Sequence, residues 1–172
     1  PDFHLGTTRF PILQNASSQL MRLGMPYEVA DELYQYYFDS QHQPAGKVFS
    51  IMRRIPMLQS QRPTQANLLL CILLNSAVQI DHRFFAGSNR DYACQSLYRM
   101  IQEALPSVKE KFTFDDFLCV VHLSFSMPWL SYPTDSVYWW KLGFTIAKML
   151  RLNEIHPSDF YDFIEEKTRG WW

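Results

Sequence analysis

Cys119 and His122 have the clearest spacing in this sequence for nucleophilic chemistry. Three residues apart, they fall on one face of a helix, and a histidine in that position can act as the base that activates a cysteine thiol. Cys119, however, lies in the apolar run 117–121. A cysteine in such a run is typically a small buried hydrophobic residue, so we expect this pair to be structural.

The other residues with reactive side chains either lie far apart in the sequence or, where they are adjacent, point in different directions on a helix. Asp115–Asp116 and Glu165–Glu166 are adjacent pairs, and neighbours on a helix point in different directions. A metal site needs several converging ligands, but the cysteines and histidines stand far apart, at Cys71, Cys94 and Cys119 and at His4, His42, His82, His122 and His156. Glycine-rich phosphate loops and known catalytic motifs are also missing. We expect no enzyme, with no catalytic, metal or cofactor residue in this chain.

Composition narrows the class of protein further. The chain has 172 residues, 47% of them apolar and 16% aromatic, and a net charge of −1. Acidic and basic residues are mixed along it, whereas a domain that binds DNA or RNA directly usually carries a basic patch. We therefore expect no direct binding of nucleic acid by this chain.

The cysteines and the apolar runs indicate where the protein is located. An odd number of widely spaced cysteines favours a reducing compartment. The longest apolar run, 68–74, is too short to cross a bilayer, and the first ten residues do not resemble a secretory signal. We expect an intracellular domain that is part of a longer protein.

Helical periodicity dominates the chain and predicts an all-α fold, an array of about six antiparallel helices. Pro26 begins one helix, whose inward residues are Val29, Leu33 and Tyr36 or Tyr37. The segment 68–74 is apolar on all sides, which is typical of a helix in the middle of a bundle. We therefore predict a central helix from Thr64 to about Ile80.

Capping residues and prolines predict five more helices. One begins after Ser88, with Cys94, Leu97, Ile101 and Leu105 inward, and ends before Pro106. Another is capped by Thr113, has Phe114, Phe117 or Leu118 and Val121 inward, and ends at Pro128. The remaining predicted helices run from near Thr134 to near Asn153, from Ser158 onward, and, as a short helix, over 47–58.

The segment 136–153 resembles the signature helix of the middle homology region of fungal binuclear zinc-cluster transcription factors. The family pattern has an aromatic pair, a small residue, an Ile/Leu–Ala pair and a Leu-x-Leu ending. The matching residues here are Trp139, Trp140, Gly143, Ile146, Ala147, Leu150, Leu152 and Asn153. Segments 3–8, 26–38 and 165–172 are similar, in the expected order, to other parts of that region.

The resemblance implies a regulatory domain that modulates RNA polymerase II transcription in the nucleus through intra- or intermolecular contacts. Its partners would be other domains of the parent protein or transcription co-regulators, with a small-molecule inducer as a further possibility. DNA would be bound only by a zinc-containing cluster outside this chain. We expect one helical domain over 1–172, a fragment of a larger region that is incomplete at its C-terminal end, with a lead-in segment at 1–25 and a helical core at 26–172.

Two other functions are compatible with the same residues. Aromatic helical bundles also act as protein-interaction scaffolds without any role in transcription. A bundle rich in aromatic residues and methionine can instead enclose a small molecule, and the candidate lining residues are Phe125, Met127, Trp129 and Trp140. For the signature helix itself, close packing explains Gly143 and Ala147, because two small residues four positions apart let a neighbouring helix approach.

Overall fold

The computed structural model describes residues 4–39, 66–86, 89–106, 111–130 and 133–154. Six α-helices lie in these ranges and no strand does, so the all-α prediction is confirmed. They are α1 (Ser17–Leu23), α2 (Tyr27–Asp39), α3 (Ala66–Ala77), α4 (Asn89–Ala104), α5 (Phe114–Ser126) and α6 (Pro133–Met149). Short 3₁₀ helices span Pro11–Ala16, Arg83–Phe85, Met127–Leu130 and Leu152–Glu154. The helices predicted over 47–58 and from Ser158 lie outside the described residues, as does Ser88.

Helix α3 forms the centre of the core. It packs against α2, α4 and α5 and against the 3₁₀ helix Pro11–Ala16, and every residue from Asn67 to Ala77 is buried. A helix contacted on all sides is expected to be apolar all round, and the run 68–74 of α3 is. The buried amides of Asn67 and Asn75 donate hydrogen bonds to the Ile101 oxygen and to Oγ of Ser126. It ends at Ala77 instead of Ile80, and residues 78–80 continue as a turn.

Helix α5 begins where the sequence predicts. Thr113 accepts a hydrogen bond from the backbone N–H of Asp116, whose carboxylate in turn accepts from the Thr113 N–H at 2.7 Å. This capping box satisfies two backbone donors at the helix start. Pro128 ends the regular helix, and the chain continues as the 3₁₀ helix Met127–Leu130.

The inward face predicted for α5 is partly wrong. Phe114, Phe117 and Leu118 are only half-buried, whereas Cys119 and Val120 are fully buried. The physical reason is that α5 packs between α3 and α6. Its buried arc is therefore wider than one stripe and includes Asp115 and Asp116 as well as Cys119 and Val120.

Residues before Pro26 contribute to the core, which the sequence patterns do not predict. Ile12, Leu13, Ala16 and Leu20 are buried within the 3₁₀ helix and α1. Helix α1 ends at Gly24, whose left-handed φ of 62° allows its N–H and that of Met25 to bond back to the last turn. Glycine adopts this conformation at no steric cost. The lead-in segment is thus a packed part of the bundle.

Helix α6 is four residues shorter than predicted at its C-terminal end. The α-helix stops at Met149 and is followed by a turn in which Arg151 adopts a φ of 56°. A left-handed residue cannot continue a right-handed helix. Leu152 and Asn153 therefore lie in the 3₁₀ turn that follows. Among the described helices, none is both long enough and apolar enough to span a membrane.

Candidate functional site

The buried side of α6 is formed by residues of the signature segment. Trp139 and Ile146 are buried, and Gly143 lies between them on the same face of α6 and opposite Val120 of α5. Ser136 donates a hydrogen bond of 2.9 Å to the carbonyl oxygen of Ser124, which ties the start of α6 to the end of α5. These residues lie on the side of α6 that is buried in the bundle.

Gly143 contacts α5 through its backbone. A Cβ atom at this position would lie 3.6 Å from Cγ1 of Val120, which is an ordinary van der Waals distance. The two helices are therefore close, but the space between them still admits a methyl group. A larger side chain would have to displace Val120.

The remaining signature residues lie at the margins of this interface. Ala147, Leu150 and Leu152 are half-buried, and Trp140 is exposed to solvent over 41% of its surface. The side chain of Asn153 lies outside the described part of the chain. The aromatic pair is thus divided: one indole faces the core and the other faces solvent.

The Tyr98 hydroxyl organises a polar network at the buried end of Trp139. It accepts hydrogen bonds from Nε1 of Trp139 at 3.2 Å and from Nε2 of Gln102 at 2.9 Å. It also donates to the Asp135 carboxylate at 3.1 Å. A buried indole N–H needs such an acceptor, and this one links α4 to α6.

The four candidate pocket residues, Phe125, Met127, Trp129 and Trp140, lie in three separate places in the structure. The rings of Phe125 and Trp140 meet edge to face, with centroids 5.5 Å apart. Met127 is completely buried in the core. Trp129 is 63% exposed and lines a separate hollow beside α4. Only Phe125 and Trp140 are therefore brought together as a pair of contacting rings.

Two shallow hollows flank α4. The first has a volume of about 360 Å³ and is lined by Val78, Gln79, Arg90, Asp91, Cys94, Trp129 and Leu130. At its wall Arg90 donates to the backbone oxygen of Val78, which satisfies a carbonyl at the end of α3. The second, of about 470 Å³, is lined by Gln102, Leu105, Pro106, Phe112, Tyr138, Trp139 and Leu142.

His122 is a core residue with both ring nitrogens engaged. Nδ1 lies 2.7 Å from the backbone oxygen of Leu118 and Nε2 lies 2.7 Å from the Tyr37 hydroxyl. A carbonyl only accepts, so Nδ1 carries the proton and Nε2 accepts from the tyrosine. Burial lowers the pKa of His122 to about 4, which keeps the ring neutral.

Cys119 is also completely buried in the core, and its thiol is neutral. Burial raises the pKa of Cys119 well above its usual value, and the neighbouring Cys71 adds to that effect. Burial also raises the pKa of Cys94 to about 11. A neutral, buried thiol is a poor nucleophile, so the Cys119–His122 pair lacks the electrostatics of an activated cysteine.

The three cysteines do not fit a zinc cluster. All three are buried, and no group of three or more histidine, cysteine or acidic side chains within the described ranges could hold a metal ion. His82 lies apart from them, with Nε2 2.6 Å from the Glu32 carboxylate and Nδ1 accepting from the Phe84 N–H. This histidine fastens the turn after α3 to α2.

The N-terminal motif residues 4–8 are tied to α2. The Thr8 hydroxyl lies 2.5 Å from Oδ1 of Asp31, and the backbone N–H of Arg9 donates to Oδ2 at 2.8 Å. Asp31 is buried, and a buried carboxylate requires such donors. Thr8 and Arg9 therefore position the lead-in segment against the bundle.

The chain matches no protein-family profile, no curated protein and no solved structure.

Proposed function

We propose that this chain is the regulatory, middle homology domain of a fungal zinc-cluster transcription factor. In this role it modulates RNA polymerase II transcription in the nucleus through contacts with other domains of the parent protein or with co-regulators. The role is non-catalytic. The single observation that carries the proposal is the signature segment 136–153, with three further similar segments in the same order along the chain.

The geometry of α6 supports the proposal. Trp139, Gly143 and Ile146 share the buried face of one helix, so the small and aromatic positions of the pattern coincide with a helix–helix contact. Thr8, in the N-terminal similar segment, bonds to Asp31 in α2, which lies in the second similar segment. Two motifs that are separate in the sequence thus meet in the fold.

The proposal assigns DNA binding and zinc to a part of the protein outside this chain. A binuclear zinc cluster of this family uses six cysteines, and the chain has three, all of them buried. The regulatory domain would act on that cluster or on an activating segment. A small-molecule inducer remains a further candidate partner.

A reporter assay tests this function. The chain is fused between a foreign DNA-binding domain and a foreign activating segment, and expression of a reporter gene is compared with that of the same fusion without the chain. We expect the chain to change reporter output in at least one growth medium. Ile146→Asp, which places a charge at a fully buried position, is the control and should abolish the change. Equal output with and without the chain in every medium would refute the regulatory role.

A protein-interaction scaffold outside transcription is the second candidate, and the exposed apolar side of α6 favours it. Val137, Tyr138 and Phe144 are each more than half exposed, as expected for a surface that a partner covers. The location of the parent protein in the cell distinguishes the candidates. Strict nuclear localisation favours the regulatory domain, and a cytosolic parent protein favours the scaffold.

A further inference from the structure

Helix α6 presents an apolar surface to solvent as well as to the core. Residues on an α-helix are offset by about 100° each, so positions 137, 141, 144 and 148 lie opposite the buried stripe 139, 143 and 146. We call Val137, Lys141, Phe144 and Lys148, together with Trp140 at their edge, the outer face of α6. Its apolar members are 56%, 65% and 41% exposed, for Val137, Phe144 and Trp140 respectively.

This exposure is concentrated on one helix. Of the eight large hydrophobic side chains that are exposed in the described residues, five belong to α6. Single exposed apolar residues are normal on a protein surface, whereas contiguous ones mark an interaction surface. Trp140 and Phe144 are contiguous, with ring centroids 6.2 Å apart, and Phe125 of α5 extends the surface on the other side of Trp140.

The charges on the outer face are all positive. Exposed Lys141 lies between Val137 and Phe144, exposed Lys148 lies one turn beyond Phe144, and exposed Arg151 follows the helix. The carboxylates of α6 and its following turn stand at the two ends, at Asp135 and Glu154. Asp135 already accepts the hydrogen bond of the Tyr98 hydroxyl. A ligand on this face therefore meets exposed rings and two ammonium groups.

We infer that the outer face of α6 binds an acidic amphipathic helix of a partner protein. Bulky apolar side chains of that helix would cover Val137, Trp140 and Phe144, and its carboxylates would pair with Lys141 and Lys148. Helix-on-helix packing of this kind is a recurring mode of peptide recognition. The regulatory meaning of this binding depends on the function proposed above, whereas the binding itself does not.

A second copy of this chain is a poorer occupant of the same face. In a two-fold symmetric dimer each copy presents the same patch to the other. The facing patches would then bring Lys141 and Lys148 of one copy close to those of its partner, and like charges across an interface are unfavourable. The charge pattern thus selects an acidic partner over self-association.

Two synthetic peptides test the inference with the full chain. One is a helix of about 16 residues, about four turns, with Leu and Phe on one stripe and Glu on both flanks. The other replaces each Glu with Lys. Binding is measured by fluorescence anisotropy of the labelled peptide. We expect the Glu peptide to bind at least about tenfold more tightly than the Lys peptide, with an affinity that falls as salt screens the charges.

Variants locate the binding site. Phe144→Ser and the pair Lys141→Glu with Lys148→Glu change only exposed positions, so the fold is retained. Phe144→Ser should weaken binding of the Glu peptide by about tenfold. The double lysine variant should bind the Lys peptide more tightly than the Glu peptide. Tyr92→Ser, at a 73% exposed ring on α4, is the matched control and should leave binding unchanged.

Three results would overturn the inference. They are equal affinity for both peptides, binding that survives Phe144→Ser, and a micromolar dimer in sedimentation that is lost with Phe144→Ser. The reporter assay addresses the transcriptional role separately. Selective peptide binding without a reporter effect would leave the inference standing and remove the proposed function.

Discussion

At the scale of single residues, the buried His122 makes stability depend on pH. Its pKa in the folded chain is about 4 because of burial, whereas an unperturbed histidine has a pKa of about 6.5. Below pH 6.5 the His122 imidazole is therefore protonated in the unfolded chain but stays neutral in the folded chain. The contribution of His122 to stability is complete at pH 7 and is lost as the pH falls toward 4.

We predict that wild type loses about 2.5 kcal/mol more unfolding free energy between pH 7 and pH 4.5 than His122→Gln does. The variant is expected to be less stable at pH 7, because the hydrogen bonds of the imidazole ring with the Tyr37 hydroxyl and the Leu118 oxygen are lost. Urea unfolding of both proteins at the two pH values gives the difference directly. If both proteins lose the same unfolding free energy between the two pH values, His122 does not control the pH dependence.

At the scale of secondary structure, the sequence predicts helices well where periodicity and caps agree. The run 68–74 predicts the buried α3, and Thr113 predicts the first turn of α5, because both signals are local. The 3₁₀ helix Pro11–Ala16 has a weaker signal: Pro11 stands at its start, but neither a side-chain cap nor a charged residue marks its ends. Its position depends on contacts with α3 that are distant in sequence.

The candidate site is less predictable than the helices that carry it. Pattern alone assigns Trp139, Trp140, Gly143 and Ile146 to one helix and predicts that the side of Gly143 packs against a neighbour, but it does not fix that this neighbour is α5. That choice depends on the contact between Gly143 and Val120 and on the hydrogen bond between Trp139 and Tyr98. Both are long-range contacts. The solvent exposure of Trp140 follows only once they are known.

Gly143 provides a test of the α5–α6 contact. In a helix interior, alanine is more favourable than glycine by about 1 kcal/mol, and the added methyl group would sit 3.6 Å from Val120. We expect Gly143→Ala to leave stability unchanged or raise it by up to about 1 kcal/mol. Gly143→Leu should lower it by about 1–3 kcal/mol, because the side chain overfills the interface.

Thermal or urea unfolding of the two variants beside wild type gives these changes. Thr145, an exposed residue of the same helix, provides the control: Thr145→Leu adds a leucine to α6 outside the interface and should cost little. A large loss of stability in Gly143→Ala would mean that α5 and α6 lie closer together than this structure has them.

At the scale of the whole molecule, the N-terminal segment and the C-terminal helices belong to one core. Ile12, Leu13 and Leu20 are part of the same buried cluster as Trp139 and Ile146. Central α3 connects them, because it contacts both the 3₁₀ helix Pro11–Ala16 and α5. A substitution that destabilises the N-terminal end should therefore lower the stability of the whole bundle to unfolding.

Asp31 is the residue at which this coupling can be measured. Its two carboxylate oxygens receive the Thr8 hydroxyl and the Arg9 N–H, and in Asp31→Asn one of these donors would face an amide N–H₂ group. We expect the substitution to cost about 1–3 kcal/mol. Glu28→Gln, an exposed position one turn earlier in α2, should cost little and is the matched control.

Two spectroscopic signals separate local from global unfolding in this experiment. All five tryptophans lie at position 129 or later, so their fluorescence reports on the C-terminal half, whereas far-ultraviolet circular dichroism reports on every helix. If the bundle unfolds as one unit, Asp31→Asn shifts both urea midpoints equally toward lower urea. A shift in circular dichroism alone would mean that the lead-in segment unfolds independently. Coincident shifts would establish that the Thr8–Asp31 contact stabilises α6, which it does not touch, through α2, α3 and α5.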